Sequence, residues 1–163
     1  MTALMLVAAL LAAPPAVSAK VDGRAAFEQP KKLEGNWKAE KEAASLQLRV
    51  IANGSAVLAT MTGDDKTKIV MASVYSLDGS ELVMAHYDAG NQPSMKLKTA
   101  LPHLRFELVK VTNLTDPKAS HMAAVTFVVK DADNLSLEWE NAKGGTVNKI
   151  VFPFIREYAN TLK

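Results

Sequence analysis

From Leu33 onward the chain alternates apolar and polar residues with period two, and turn residues interrupt it at roughly 8–12-residue intervals. In residues 46–51, Leu46, Leu48 and Val50 share one face and Gln47 and Arg49 the other. Leu104, Phe106 and Leu108 alternate with Arg105, Glu107 and Val109, and Leu135, Leu137 and Trp139 oppose Ser136, Glu138 and Glu140. Strands are therefore predicted over 33–40, 46–51, 56–62, 68–77, 81–87, 94–100, 104–112, 121–130, 134–140 and 147–156. Asn53-Gly54 and Asp78-Gly79 are two-residue hairpin signals, and Lys143-Gly144-Gly145 turns the chain into the last strand. Ahead of the strands, residues 20–32 form a polar lead-in with a short helix expected over 23–29; residues 157–163 form a polar tail.

About ten short strands with no helix between them have brief connections, which favour antiparallel neighbours and an up-and-down meander. A meander of that length leaves two edges exposed, and closing it into a barrel removes both. The expected fold class is all-β, an antiparallel up-and-down barrel, with a two-sheet sandwich as the competing arrangement. Barrels of about eight to ten strands can hold one small molecule inside.

Composition narrows the setting. The chain has 163 residues, 48% hydrophobic and 22% charged, which fits one domain with one core. Residues 1–19 carry no charged side chain; the apolar run 4–13 is too short to span a bilayer, and Pro14-Pro15 followed by Val17-Ser18-Ala19 matches a signal-peptidase site. The expected division is a signal peptide over 1–19 and a barrel domain over 20–163, exported to the periplasm or secreted, with no transmembrane segment after signal removal. The absence of cysteine excludes disulfides, thiol nucleophiles and zinc–thiolate sites. A net charge of +2, with Lys and Arg interleaved among Asp and Glu, gives no basic stripe for nucleic acid.

The first predicted strand carries Gly35-Asn36-Trp37 and the last ends in Arg156. A Gly-x-Trp on the first strand with an Arg on the last resembles the lipocalin and wider calycin pattern. That resemblance implies a calycin-like barrel whose Trp plugs the closed end while the Arg stacks over it. The Gly-x-Trp-x-Gly-x-Gly extension of nitrobindin-like haem barrels is not met, because Ala39 and Lys41 stand where the later glycines fall. The run from His86 to Met95, HYDAGNQPSM, also resembles a group of exported bacterial lipocalin-like proteins with a His-Tyr-x-x-x-Gly-Asn-Gln-Pro segment, a likeness that brings no activity with it.

That run is also the richest in chemistry. Leu82, Met84 and His86 share one strand face and Val83, Ala85 and Tyr87 the other; with neither face polar, the strand is expected to be central or to have both sides covered. His86 ends the inward row at the barrel mouth, and Gly90 and Asn91 suit the turn beyond it. In the strand from His121, the row His121, Ala123, Val125, Phe127 places a second histidine inward at the rim. The candidate ligand-binding residues are His86, Tyr87, Asn91, Gln92, Met95 and His121. The competing reading is that Asn91 and Gln92 satisfy their own turn and each histidine bonds strand-end backbone.

Catalysis through Ser73 or Ser94 with His86 or His121, oriented by Asp88 or Asp116, is a further arrangement, but neither serine has a nucleophile-elbow context, so no catalytic residue is assigned. No short spacing of metal ligands occurs either, and no metal residue is assigned. Methionines on the strands suit a permissive apolar pocket or a core. The functional expectation is an exported barrel binding a small, mostly apolar molecule, with no cofactor. The alternatives are haem or metal handling through a rim histidine, and a structural or stress-related envelope protein without a ligand.

Overall fold

The computed structural model describes residues 21–158 apart from 89 and 117; the expected signal peptide and the polar tail beyond Tyr158 lie outside these. Ten strands follow one helix: α1 (Gly23–Lys32), β1 (Gly35–Ala39), β2 (Ser45–Ile51), β3 (Ala56–Thr62), β4 (Ile69–Asp78), β5 (Glu81–Tyr87), β6 (Gln92–Thr99), β7 (Leu104–Thr112), β8 (His121–Val129), β9 (Asn134–Lys143) and β10 (Thr146–Glu157). Each strand pairs antiparallel with its sequence neighbours, and β10 pairs back onto β1, so the sheet is a closed up-and-down barrel. The sandwich alternative does not form.

Turn chemistry sets the register. Gly144 and Gly145, at φ 57° and 85°, make a two-residue hairpin in which both positions need positive φ. Between β4 and β5 the two loop residues are Gly79 and Ser80, because Asp78 pairs with Glu81. The turn thus lies one residue later than the Asp78-Gly79 reading. The Asn53-Gly54 hairpin is longer than two residues: Ile51 pairs with Ala56, and Ala52, Asn53 and Gly54 all take positive φ.

The barrel has one closed end. Helix α1 begins at the N-cap Asp22, whose carboxylate accepts from the amides of Arg24 and Ala25, and buries Gly23, Ala26, Phe27 and Pro30. It runs through Pro30, beyond the expected end at residue 29, because Pro30 faces the barrel and its neighbours Lys31 and Lys32 suit the C-terminal dipole. Gly23 touches the β4–β5 hairpin so closely that a Cβ there would lie 2.4 Å from the Leu82 amide nitrogen. Beneath the helix Trp37 is fully buried, donates from Nε1 to the Leu33 carbonyl at 3.0 Å, and lies under the Arg156 guanidinium at 4.1 Å. Arg156 also donates to the carbonyls of Ala132 and Glu34, each at 2.8 Å. Gly35 is required there: its φ is +139°, and a Cβ would meet Arg156 Nη1 at 2.8 Å.

The middle of the barrel is filled from opposite walls. Tyr75 of β4 meets Phe106 of β7 and Phe127 of β8 edge to face, with ring centroids 5.5 Å apart in both pairs. The far end, where the β1–β2, β3–β4, β5–β6, β7–β8 and β9–β10 connections gather, has no helix over it among the described residues. β1 is five residues long and pairs with β10 only over 154–157, so residues 146–152 of β10 have no strand on that flank. Ile150, which pairs with the inward Trp139, is consequently 45% exposed.

Candidate functional site

At the open end, Ser73 and His86 are cross-strand partners on β4 and β5, both pointing into the barrel. Directly opposed residues bring their Cβ atoms to about 5 Å, and here the Ser73 hydroxyl reaches His86 Nδ1 at 2.8 Å. His86 is 2% exposed and its ring meets that of Trp139 across the barrel at 6.1 Å. Two residues on, Asp88 places Oδ2 3.9 Å from His86 Nε2, too far for a direct hydrogen bond. His86 Nε2 and Asp88 Oδ1 are buried and have no hydrogen-bond partner. Burial pushes the His86 pKa below its usual value, and the Asp88 charge opposes that only in part. Tyr75 extends the row inward, bonded to Ser73, with its phenol pushed far up by burial.

A cavity of about 20 Å³ lies against this group, with Ser73, His86 and Trp139 on its wall and Met61, Met71, Met84 and Met122 among its apolar lining. That is the space of roughly one water molecule. The wall of this cavity is therefore mostly apolar and methionine-rich, with Ser73 and His86 as its polar cluster.

Ser73, His86 and Asp88 include the residue types of a hydrolytic triad without its geometry. In such a triad the serine bonds Nε2 and the carboxylate Nδ1; here the ring is the other way round. Ser73 lies within a paired strand, buried, rather than on an exposed turn. The cluster can hold a hydrogen-bonding group but is not built to make a serine nucleophilic.

The remaining candidates separate. Met95 is buried inside, paired with Met84. Asn91 donates from Nδ2 to the Ser120 carbonyl at 3.0 Å, tying the β5–β6 turn to the β7–β8 loop, while its Oδ1 is buried and unpartnered. Gln92 is exposed and accepts from the Thr112 hydroxyl. Tyr87 is on the outer face, 44% exposed. Of the two arrangements expected for β5 the central one holds, since it pairs with β4 and β6, while Val83, Ala85 and Tyr87 on its outer face border an open groove shared with Val74 and Val109.

His121 does not face the interior. The β8–β9 register shifts between Met122 and Ala124, and the extra residue turns Met122 inward beside Val125 and Phe127. His121 goes to the other face, where its Nδ1 lies 3.1 Å from the Ala119 carbonyl. His86 and His121 therefore share no site. Among the described residues, no group of three or more His, Asp or Glu side chains is placed to hold a metal ion.

No known family model matches the chain, and no curated protein matches it.

Proposed function

We propose that this protein binds a small, mostly apolar molecule at the open end of the barrel, as a calycin-like, exported protein acting in the periplasm or outside the cell. The observation that carries the reading is the contrast at the mouth: an apolar, methionine-rich lining around one buried histidine whose Nε2 has no partner. A buried polar atom without a partner costs about 1–3 kcal/mol, and a ligand that supplies the partner recovers that cost. Methionine side chains re-pack at little strain, so a water-sized cavity can enlarge around an entering chain. A porphyrin would demand far more room, which favours His86 as a hydrogen-bonding group over an iron ligand. The calycin assignment rests on the Trp37–Arg156 stack at the closed end, and export rests on residues 1–19.

The test is a titration of the purified protein with the neutral fluorescent probe N-phenyl-1-naphthylamine, followed by displacement with aliphatic compounds. Saturable, displaceable binding that is lost on substituting Met71 or Met122 by Trp supports the reading; no saturable binding overturns it. The small cavity also favours a second reading, an envelope protein that works through its outside, where Val147, Val151 and Ile155 of β10 are each about half exposed. That reading expects no probe binding and a change in partner association when Val151 becomes Lys.

A further inference from the structure

The geometry around His86 also bears on the polar end of the ligand, if the open end is a binding site as proposed above. The His86 ring is fixed at Nδ1 by Ser73, and the gap from Nε2 to Asp88 Oδ2 is 3.9 Å. Two hydrogen bonds of about 2.8 Å, one to each side, meet over that gap at roughly a right angle on a single bridging atom. On the histidine side Nε2 is buried without a partner; on the other the Asp88 carboxylate faces it through Oδ2, and its Oδ1 is buried without a partner.

The tautomer decides what the bridge must be. A neutral imidazole has one N–H and one lone pair. If Nδ1 carried the proton, the Nε2 lone pair would face the Asp88 carboxylate, acceptor against acceptor. With the proton on Nε2, the N–H faces the carboxylate and Nδ1 accepts from the Ser73 hydroxyl. The second arrangement is electrostatically favoured. The bridging atom then accepts from Nε2–H and donates to Asp88. A hydroxyl does both on one oxygen. An ether oxygen only accepts, and an ionised carboxylate or phosphate only accepts while setting a second negative charge beside Asp88.

We propose that the ligand is a neutral apolar alcohol, whose hydroxyl bridges His86 Nε2 and the Asp88 carboxylate while its hydrocarbon part lies among Met61, Met71 and Met122. Anionic amphiphiles of the same length are rejected at this site. In the unliganded protein a water molecule, which like a hydroxyl both accepts and donates, takes the hydroxyl's place.

The experiment compares three probes of matched chain, 1-octanol, octyl methyl ether and sodium octanoate at pH 8, by calorimetry on the wild-type protein and on Asp88→Asn. The wild type is expected to bind 1-octanol at least about tenfold tighter than the ether or octanoate. In Asp88→Asn, the amide can donate to octanoate and the charge is gone, so the octanol-to-octanoate ratio is expected to fall to about threefold or less. Octanoate or ether binding as tightly as octanol to the wild type overturns the alcohol assignment and leaves the apolar-ligand reading standing. An unchanged ratio in Asp88→Asn overturns the role of Asp88. Failure of all three to bind overturns both readings. Nitrogen-15 NMR of the histidines in the unmodified protein is an independent check that needs no variant: an Nε2-protonated His86 is expected, and an Nδ1-protonated one overturns the proposal.

Discussion

The two ends of the barrel use polar groups in opposite ways. At the closed end, Trp37 Nε1 and the Arg156 guanidinium donate to backbone carbonyls that the strand ladder leaves over, and the flat cation covers the indole. At the open end, His86 Nε2, Asp88 Oδ1 and Asn91 Oδ1 are buried with no partner; the fourth such atom among the described residues, His103 Nδ1, lies in the β6–β7 loop at the closed end. Both ends bury aromatic and apolar surface, so burial alone does not separate them. The balance of hydrogen bonds does: three of the four unpartnered atoms lie at the open end, and the Trp37–Arg156 stack at the closed end has its donors satisfied. The closed end is arranged for stability, whereas the open end gives up some stability to keep acceptor and donor positions free.

Substitutions should break this contrast in graded steps. Trp37→Ala leaves a cavity under the helix and is expected to cost about 3–5 kcal/mol in denaturant unfolding; a cost under about 1 kcal/mol would mean that the plug is not structural. Gly23→Ala forces a methyl against the backbone of Ser80 and Leu82. It is expected to cost about 1–3 kcal/mol, with faster hydrogen exchange confined to α1. Arg156→Lys keeps the charge but loses the planar stack and one of the two carbonyl bonds, for about 1 kcal/mol. His86→Leu, by contrast, removes a buried polar group with an unsatisfied nitrogen and is expected to fall within about 1 kcal/mol of the wild type, while octanol binding disappears.

The same histidine gives the comparison a pH axis. Because burial holds its folded pKa below the unfolded value of about 6.5, the unfolded chain takes up the proton first. Stability is therefore complete above that value and declines as pH falls below it, until the folded value has been passed. Melting curves from pH 8 to pH 5 should show this decline in the wild type and a shallower one in His86→Leu. Equal slopes would mean that His86 is not held neutral by the fold.

Much of the scaffold could be read from alternation and turn residues, since a half-buried strand must place apolar side chains at every second position. The Trp37–Arg156 stack was legible for a different reason: both residue types are rare and stand near the ends of the strand series. The site was less legible. Placing the β4–β5 turn at Asp78-Gly79 would set Ser73 opposite Met84 instead of His86, because moving a turn by one residue moves cross-strand partners by two. Residues Gly79 and Ser80 form the loop instead, and positive φ at Gly79 suits its first position. The inward prediction for His121 failed for a similar reason. The bulge at Met122–Ala124 lies in His-Met-Ala-Ala-Val, where no glycine, proline or charge marks an extra residue. The apolar row Val83, Ala85, Tyr87 suited a central strand or a covered one, and pattern alone could not tell that this row faces an open groove.

The closure of β10 onto β1 has a kinetic consequence. Every other strand pairing joins sequence neighbours and can form as soon as its hairpin turns. The β1–β10 seam joins Trp37 to Arg156 across nearly the whole described chain, so its loop-closure entropy is by far the largest in the fold. A growing chain can assemble the meander in order, but it remains an open sheet with two live edges until residues 154–157 have emerged. The guanidinium that locks over Trp37 arrives with those last residues, so the stacked pair works as a latch that shuts only once the barrel is complete.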